Sequence, residues 1–413
     1  MSIIKQGFES ADLDVPVVLP TLNLDFANSQ SLDKRITFSR GSIGTRVNRN
    51  GLIETIAANQ PRFDYDPVTG ECKGLLIEES RTNLLTYSED FSNASWARNN
   101  QNINTNVITA PDGTLTADKL ITINASPIHD LFKTPNLSSN TYTLSIFAKA
   151  AEQNLMRLRI DDGIIGRNTI FNLTTGSVSS NTNVTSSTIT PYSNGWYRCS
   201  ITVTTNIINL VFNTPYPYSG DGTSGIYIWG AQVEQGAFPT SYIPTTASTV
   251  TRSADNADMT GTNFSSWYNQ TESTIFCKFN AYNNIGAGQK NIIDIRGSAA
   301  LGLNIVQLQL NYISATSQPI YHNLYQNGPN FADYFGLSYT TGPTKNIMRY
   351  KDLDTFVASK DGNIRKNNQA RLQTIPLTKN MNSLTFGTFN GAISKFAYYP
   401  KALNDDEIQY LTQ

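Results

Sequence analysis

The two histidines and three cysteines, the side chains most often used as nucleophiles, bases and zinc ligands, are few in this sequence and stand far apart. His129 and His322 have no Ser-x-Gly or Cys motif beside them and no His-Glu-x-x-His run exists, so each reads as an ordinary turn or surface residue. Cys72, Cys199 and Cys277 lack Cys-x-x-Cys or Cys/His spacing, and their odd number argues against a disulfide framework. Three reduced, mostly packed thiols are expected. Gly286-Ala-Gly288-Gln-Lys290 does not have the spacing of a phosphate-binding loop. Asp161-Asp162-Gly163 and Asp221-Gly222 have the chemistry of calcium ligands but match no EF-hand loop; turn formation is the expected role, with calcium the alternative. Glycoside hydrolysis needs only two carboxyl groups a few ångströms apart, a geometry that spacing leaves open. No catalytic residue, metal ligand or cofactor site is assigned, and the chain is read as a non-enzyme.

Aromatic side chains carry more weight, because sugar-binding faces use Trp and Tyr as stacking platforms. Trp196, Tyr197 and Trp229 fall within strand-like runs and read as core. Tyr216, Tyr218, Tyr321, Tyr325 and Tyr334 fall in loop-like segments and are the candidates for glycan contact.

The elements that must position these residues are β-strands. Only 15% of the 413 residues are charged, so the surface is built largely from Asn, Thr, Ser and Gln. A net charge of −1 argues against nucleic acid as a partner. No run approaches the ~20 apolar residues of a membrane helix, and the first residues lack the apolar core of a signal peptide, which points to folding in a cytoplasm. After an extended arm, residues 22–85 carry short strands (Leu22–Phe26, Ile36–Phe38, Leu75–Ile77) and turn signals at Asn48–Gly51 and Asp64–Gly70. This region has too few apolar residues for a core of its own and is expected to lean on a neighbour. Clean period-2 alternation follows. Leu144, Ile146 and Ala148 share a face, as do Met156, Leu158 and Ile160, and Tyr197, Cys199, Ile201 and Val203. From about residue 256 a second series of strands begins. It closes with a short helix that Asn404 and Glu407 cap and that Ile408 and Leu411 pin to the sheet. The expected organisation is all-β: an N-terminal arm and attachment region (1–85) and two jelly-roll-like antiparallel sandwiches (86–250 and 256–413).

Thr223–Asp255 joins the two sandwiches. Ile226-Tyr-Ile-Trp229, broken at Gly230 and resumed through Val233, reads as a strand buried on both faces. Pro239 and Pro244 prevent the next stretch from continuing as a central strand. The phrases Ile228-Trp-Gly-Ala-Gln-Val-Glu-Gln-Gly236, Thr240-Ser-Tyr-Ile-Pro-Thr245 and Thr251-Arg-Ser-Ala-Asp255 resemble a segment of bacteriophage and prophage virion proteins. So do SLDKRITFSRGSIGTRVNRNGLIETIAANQPRFDYDPVTG and KGLLIEESRTNLLTYSEDFSNASW in the N-terminal region. The last strands resemble those of concanavalin-like or laminin-G-like sandwiches. The resemblance implies a carbohydrate-binding-module-like first sandwich and a place in a tail fibre, head fibre, spike or decoration protein. It also implies other virion proteins as partners, host-surface polysaccharide as a possible ligand, and a homotrimer. An architectural cement protein is the alternative, and a polysaccharide depolymerase the remote one.

Overall fold

The structure, a computed structural model, describes residues 18–123, 129–215, 220–282, 289–297, 305–311, 319–325, 333–338, 343–351, 355–361, 363–366, 381–387 and 389–412. It is almost entirely antiparallel β-structure with a short helix, Asp405–Thr412, near the C-terminus.

One sandwich is built from two six-stranded sheets between Ala97 and Gln235. In the first sheet the long strand Leu137–Ala150 lies between Tyr197–Ile207 and Gly225–Gln235. In the second, Leu155–Asp161 lies between Gly166–Asn172 and Asn209–Asn213. The alternating residues meet as their spacing requires: Leu144, Ile146, Met156, Leu158, Cys199, Ile201, Ile226 and Ile228 fill one core. Gly230 breaks the period of its strand. Its φ of 62° is accessible to glycine at little cost, and the register against Leu137–Ala150 slips between Ser145 and Phe147. Ala231 and Val233 therefore return to the core that holds Ile226 and Ile228, while Trp229 joins a separate cluster with Phe147, Trp196 and Tyr242.

The other sandwich combines both halves of the sequence. Its eight-stranded sheet includes Glu272–Ala281 and Gly391–Tyr399 from the C-terminal half, and Leu22–Leu24, Phe63–Tyr65 and Cys72–Ile77 from the N-terminal half. Leu22–Leu24 and Cys72–Ile77 pair with different stretches of Gly391–Tyr399. In the seven-stranded sheet, Thr37–Ser39 pairs with Asn256–Thr260. Leu22, Leu24, Phe63 and Leu75 share one core with Phe279, Ile293, Phe386 and Phe396. The N-terminal region thus leans on a neighbour as its composition requires, by completing that neighbour's sheets.

Two local expectations need adjusting. The first strand stops at Leu24, because Asp25 caps a one-turn helix, Phe26–Ser29, and accepts a hydrogen bond from the Asn28 amide. Thr143 and Ser145, on the face opposite Leu144 and Ile146, are buried as well, since a later segment covers that face. The C-terminal helix follows its sequence closely. The Glu407 amide donates to Asn404 Oδ1, the Asn404 amide donates to a Glu407 carboxylate oxygen, and Ile408 packs on Phe276, Ile347 and Leu403.

A fragment comprising residues 256–413 lacks the N-terminal strands and exposes the core around Phe396. It is expected to show no cooperative thermal transition by circular dichroism, in contrast to the full chain.

Candidate functional site: a cleft between the two sandwiches

The segment after Gln235 carries two prolines and cannot join a ladder, yet Phe238, Thr240, Tyr242, Ile243 and Thr245 are buried and its backbone polar groups need partners. Outward-facing side chains of the sheet beneath supply them. Thr143 Oγ1 donates to the Gly236 carbonyl, Thr202 Oγ1 to that of Ala237, and Arg198 Nη1 to that of Thr240 at 2.6 Å. Glu234 accepts from the Thr240 amide and hydroxyl, and Gln232 Oε1 accepts from the Ile243 amide at 2.7 Å. Asn83 reaches over from the N-terminal region. Its Nδ2 donates to the Ile243 and Ala231 carbonyls, and its Oδ1 accepts from the Val233 amide.

Beneath this segment lies a buried ion cluster of Arg40, Arg62, Glu78, Arg252 and Asp255, each no more than 6% exposed. Arg62 bridges both acids, lying 2.7 Å from Glu78 Oε2 and bonding Asp255 Oδ2. Arg40 Nη1 meets Asp255 Oδ1 at 3.0 Å, and Arg252 Nε lies 3.5 Å from Glu78. The Ser241 amide and hydroxyl both donate to Glu78 at 2.7 Å, tying the crossing segment to the cluster. Burial alone would raise the pKa of Glu78. Arg252, Arg62 and the Ser241 hydrogen bonds outweigh it and hold the carboxyl down at about 2.

The cleft opens beside this cluster. It has a volume of about 490 Å³ and is walled by Tyr192, Tyr242 and Tyr282 together with Phe238 and Pro239. Thr188, Thr190, Asn280, Asp64 and Lys73 supply much of its polar lining. One wall comes from the first sandwich, one from the second, and the crossing segment forms part of the lining between them. Tyr282 donates to Asp64 Oδ2 at 3.1 Å while the Val47 amide donates to Oδ1 at 2.9 Å. Burial pushes the Asp64 carboxyl up, and burial likewise raises Tyr192 and Tyr282, so both phenols remain protonated donors at neutral pH. Tyr192 is held edge-on against Phe147, with centroids 5.0 Å apart. Chemically this is a recess that offers hydroxyl, amide and carboxyl groups beside aromatic ring faces.

Five tyrosines were expected to contact a glycan. Tyr216 and Tyr218 fall outside the described residues. Tyr321, Tyr325 and Tyr334 were expected in loops but lie in the strands Pro319–Tyr325 and Asp333–Ser338. Pro319, His322 and Asn323 disguise the first of these strands; pairing on both sides keeps it in the sheet. His129 is buried rather than a surface residue, with Nε2 2.7 Å from the Thr214 carbonyl. Asp162 and Asp221 act as turn formers. Asp162 accepts from the Ile164 and Ile165 amides, and Asp221 from those of Thr223 and Ser224. Cys199 and Cys277 are buried thiols whose pKa burial raises, and Cys72 is half-buried. Sequence reading missed the cleft itself. The available signal was Asp64, a carboxylate between Phe63 and Tyr65 on a strand rather than in the turn that follows.

No protein-family model matches this chain, and no curated protein matches it. Among solved structures it is similar to the sialidase CBM40 of Ruminococcus gnavus bound to α2,3-sialyllactose. Identity is 11%, coverage 37% of this chain and 88% of the other, and the TM-score 0.30. It is also similar to a leech intramolecular trans-sialidase, at 14% identity over 35% of this chain and 23% of that one, with a TM-score of 0.29. A third is the receptor-binding domain of botulinum neurotoxin C/D mosaic serotype, at 13% identity, 38% and 40% coverage and a TM-score of 0.30. The chain spans less than half of the latter two. Scores of this size carry no argument about ligand or activity.

The ion cluster has a definite pH signature. The folded-state pKa of Glu78, about 2, lies below its ordinary 4.5. On acidification the unfolded chain is therefore protonated first. The stability from this carboxylate is complete above about pH 4.5 and is lost as pH falls toward 2. Denaturant titrations should show this loss in the native protein and its absence in Glu78→Gln. At pH 7, Arg62→Met should cost about 3–5 kcal/mol, because it leaves two buried carboxylates short of a partner.

Proposed function

We propose that this chain is a structural component of a bacteriophage particle, a tail fibre, head fibre, spike or decoration protein, that contributes to adhesion to host-surface glycans. The observation that carries the adhesion reading is the cleft: hydroxyls, amides and tyrosines gathered at a junction that buried ion pairs hold rigid. Preformed walls lower the ordering cost of binding a flexible polar ligand. The virion setting rests on the phrases that resemble phage proteins, and their residues build this junction: Arg40, Arg62, Glu78, Asn83, Ser241, Arg252 and Asp255. In this reading the chain is a homotrimer made in the host cytoplasm, its partners are other virion proteins, and several copies per particle convert weak contacts into firm attachment.

Two carboxyl groups line the cleft with pKa values pushed apart, Asp64 upward and Glu78 downward, an arrangement that hydrolases exploit. Binding without cleavage is nevertheless the better reading. Glu78 is committed to Arg62, Arg252 and Ser241, and both Asp64 oxygens accept hydrogen bonds from the protein.

Adsorption of the purified protein to candidate host cells, with and without their surface polysaccharide, tests the proposal. Saturable adsorption that disappears with the polysaccharide and releases no reducing sugar is expected. Release of sugar that stops in Asp64→Asn would replace adhesion with hydrolysis, and absence of adsorption would leave an architectural role.

A further inference from the structure

Resting on the adhesion reading, we propose that the cleft between the sandwiches is the sugar site and that it takes an uncharged pyranose unit rather than an acidic one. Its size falls within the roughly 300–1,000 Å³ of small-molecule sites. The selectivity follows from where the charges of the lining are directed.

Every cation in the lining is already answered by the protein. Arg46 Nε and Nη2 both lie 3.1 Å from a Glu54 oxygen. Lys73 lies 3.6 Å from Asp66 and 5.5 Å from the centre of the Tyr282 ring. Arg198 donates to the Thr240 carbonyl and to Ser145, and its guanidinium packs over Phe147 at 5.3 Å. An acidic sugar entering here meets no cation without a partner among the described lining residues, and it faces the Asp64 carboxyl. It would lose its hydration without gaining an ion pair, an unfavourable exchange.

A neutral sugar avoids that cost. Each of its hydroxyls is both donor and acceptor, and the half-exposed lining offers both. The Asn280 amide and the Tyr192 hydroxyl can serve in either sense, and Thr188 Oγ1, 2.6 Å from Ser200 Oγ, keeps a lone pair with which to accept. Tyr192 and Tyr282 add aromatic surface for the apolar face of the ring. Asp64, fixed by the Val47 amide and Tyr282, supplies a further acceptor whose position does not have to be organised on binding.

Calorimetric titration of the full chain with methyl glycosides of glucose, galactose, mannose and N-acetylglucosamine, and with glucuronate, galacturonate and N-acetylneuraminate, tests this. At least one uncharged glycoside should bind saturably and the acids should not. Asn280→Ala should weaken that binding about three- to tenfold, the effect of losing one hydrogen bond. Tyr282→Phe, which keeps the ring and removes the hydroxyl that fixes Asp64, should do likewise, with the unfolding midpoint reporting that each variant folds. Preference for the acids, no binding by any uncharged glycoside, or binding indifferent to both substitutions would overturn the assignment. Cell adsorption that survives those results keeps the adhesion reading and moves its site elsewhere. Glycoside binding that responds to both substitutions, without cell adsorption, upholds the cleft and removes adhesion.

Discussion

The junction depends on an ion cluster that water scarcely reaches. Three guanidinium groups and two carboxylates are packed where the N-terminal region, the crossing segment and the start of the second sandwich meet. An isolated charge at such depth is expensive, and a buried pair seldom stabilises more than well-packed apolar side chains would. What it contributes is specificity. Arg62 spans Glu78 and Asp255 and also donates to the Thr45 carbonyl and Ser241, so segments far apart in sequence fit together in one arrangement. Burial pushes the Arg252 guanidinium down, and Glu78, then Asp255 and the fully buried Glu234, work against that shift.

The crossing segment shows the same economy in uncharged form. A sheet face of Thr, Ser, Gln, Glu and Arg would ordinarily face water. Here it serves as a set of hydrogen-bond partners for a proline-containing strap, so both faces of the strand Gly225–Gln235 are covered, one by the main apolar core and the other by the Trp229 cluster and the strap. The cleft is a by-product of this construction. Its walls are the places where the strap, the hairpin Gly44–Ile56 and the two sandwiches do not quite close on one another.

Much of the fold was legible in the sequence because period-2 alternation and turn residues report directly on local geometry. The core-facing sets Leu144–Ala148, Met156–Ile160 and Cys199–Val203 all point inward, and the Asn404–Glu407 cap forms as its spacing requires. Three things were hidden, each for a physical reason. Alternation says which residues share a face but not what covers the other, so the burial of Thr143 and Ser145 by a later strap left no local mark. Strand partners are set by long-range pairing, so nothing in Leu22-Asn-Leu24 reveals Tyr398 as its neighbour. Glu78 and Asp64 look like ordinary turn or edge acids until Arg62, Ser241 and Tyr282 arrive from distant positions. The cleft depends on those arrivals.

The pairing of Leu22–Leu24 with Gly391–Tyr399 also sets a schedule for the nascent chain. The first sandwich has all its strands between Ala97 and Gln235 and can begin to assemble while synthesis continues. Leu22–Leu24 must wait without its partner strand until Gly391–Tyr399 has been made, and Cys72–Ile77, which pairs with nearby Phe63–Tyr65, must wait for its second neighbour. Closing so long a loop is entropically slow, and waiting strands invite pairing with other chains. In a cell making many copies at once, the same strands that knit the second sandwich together would be the ones most exposed to exchange between neighbouring chains.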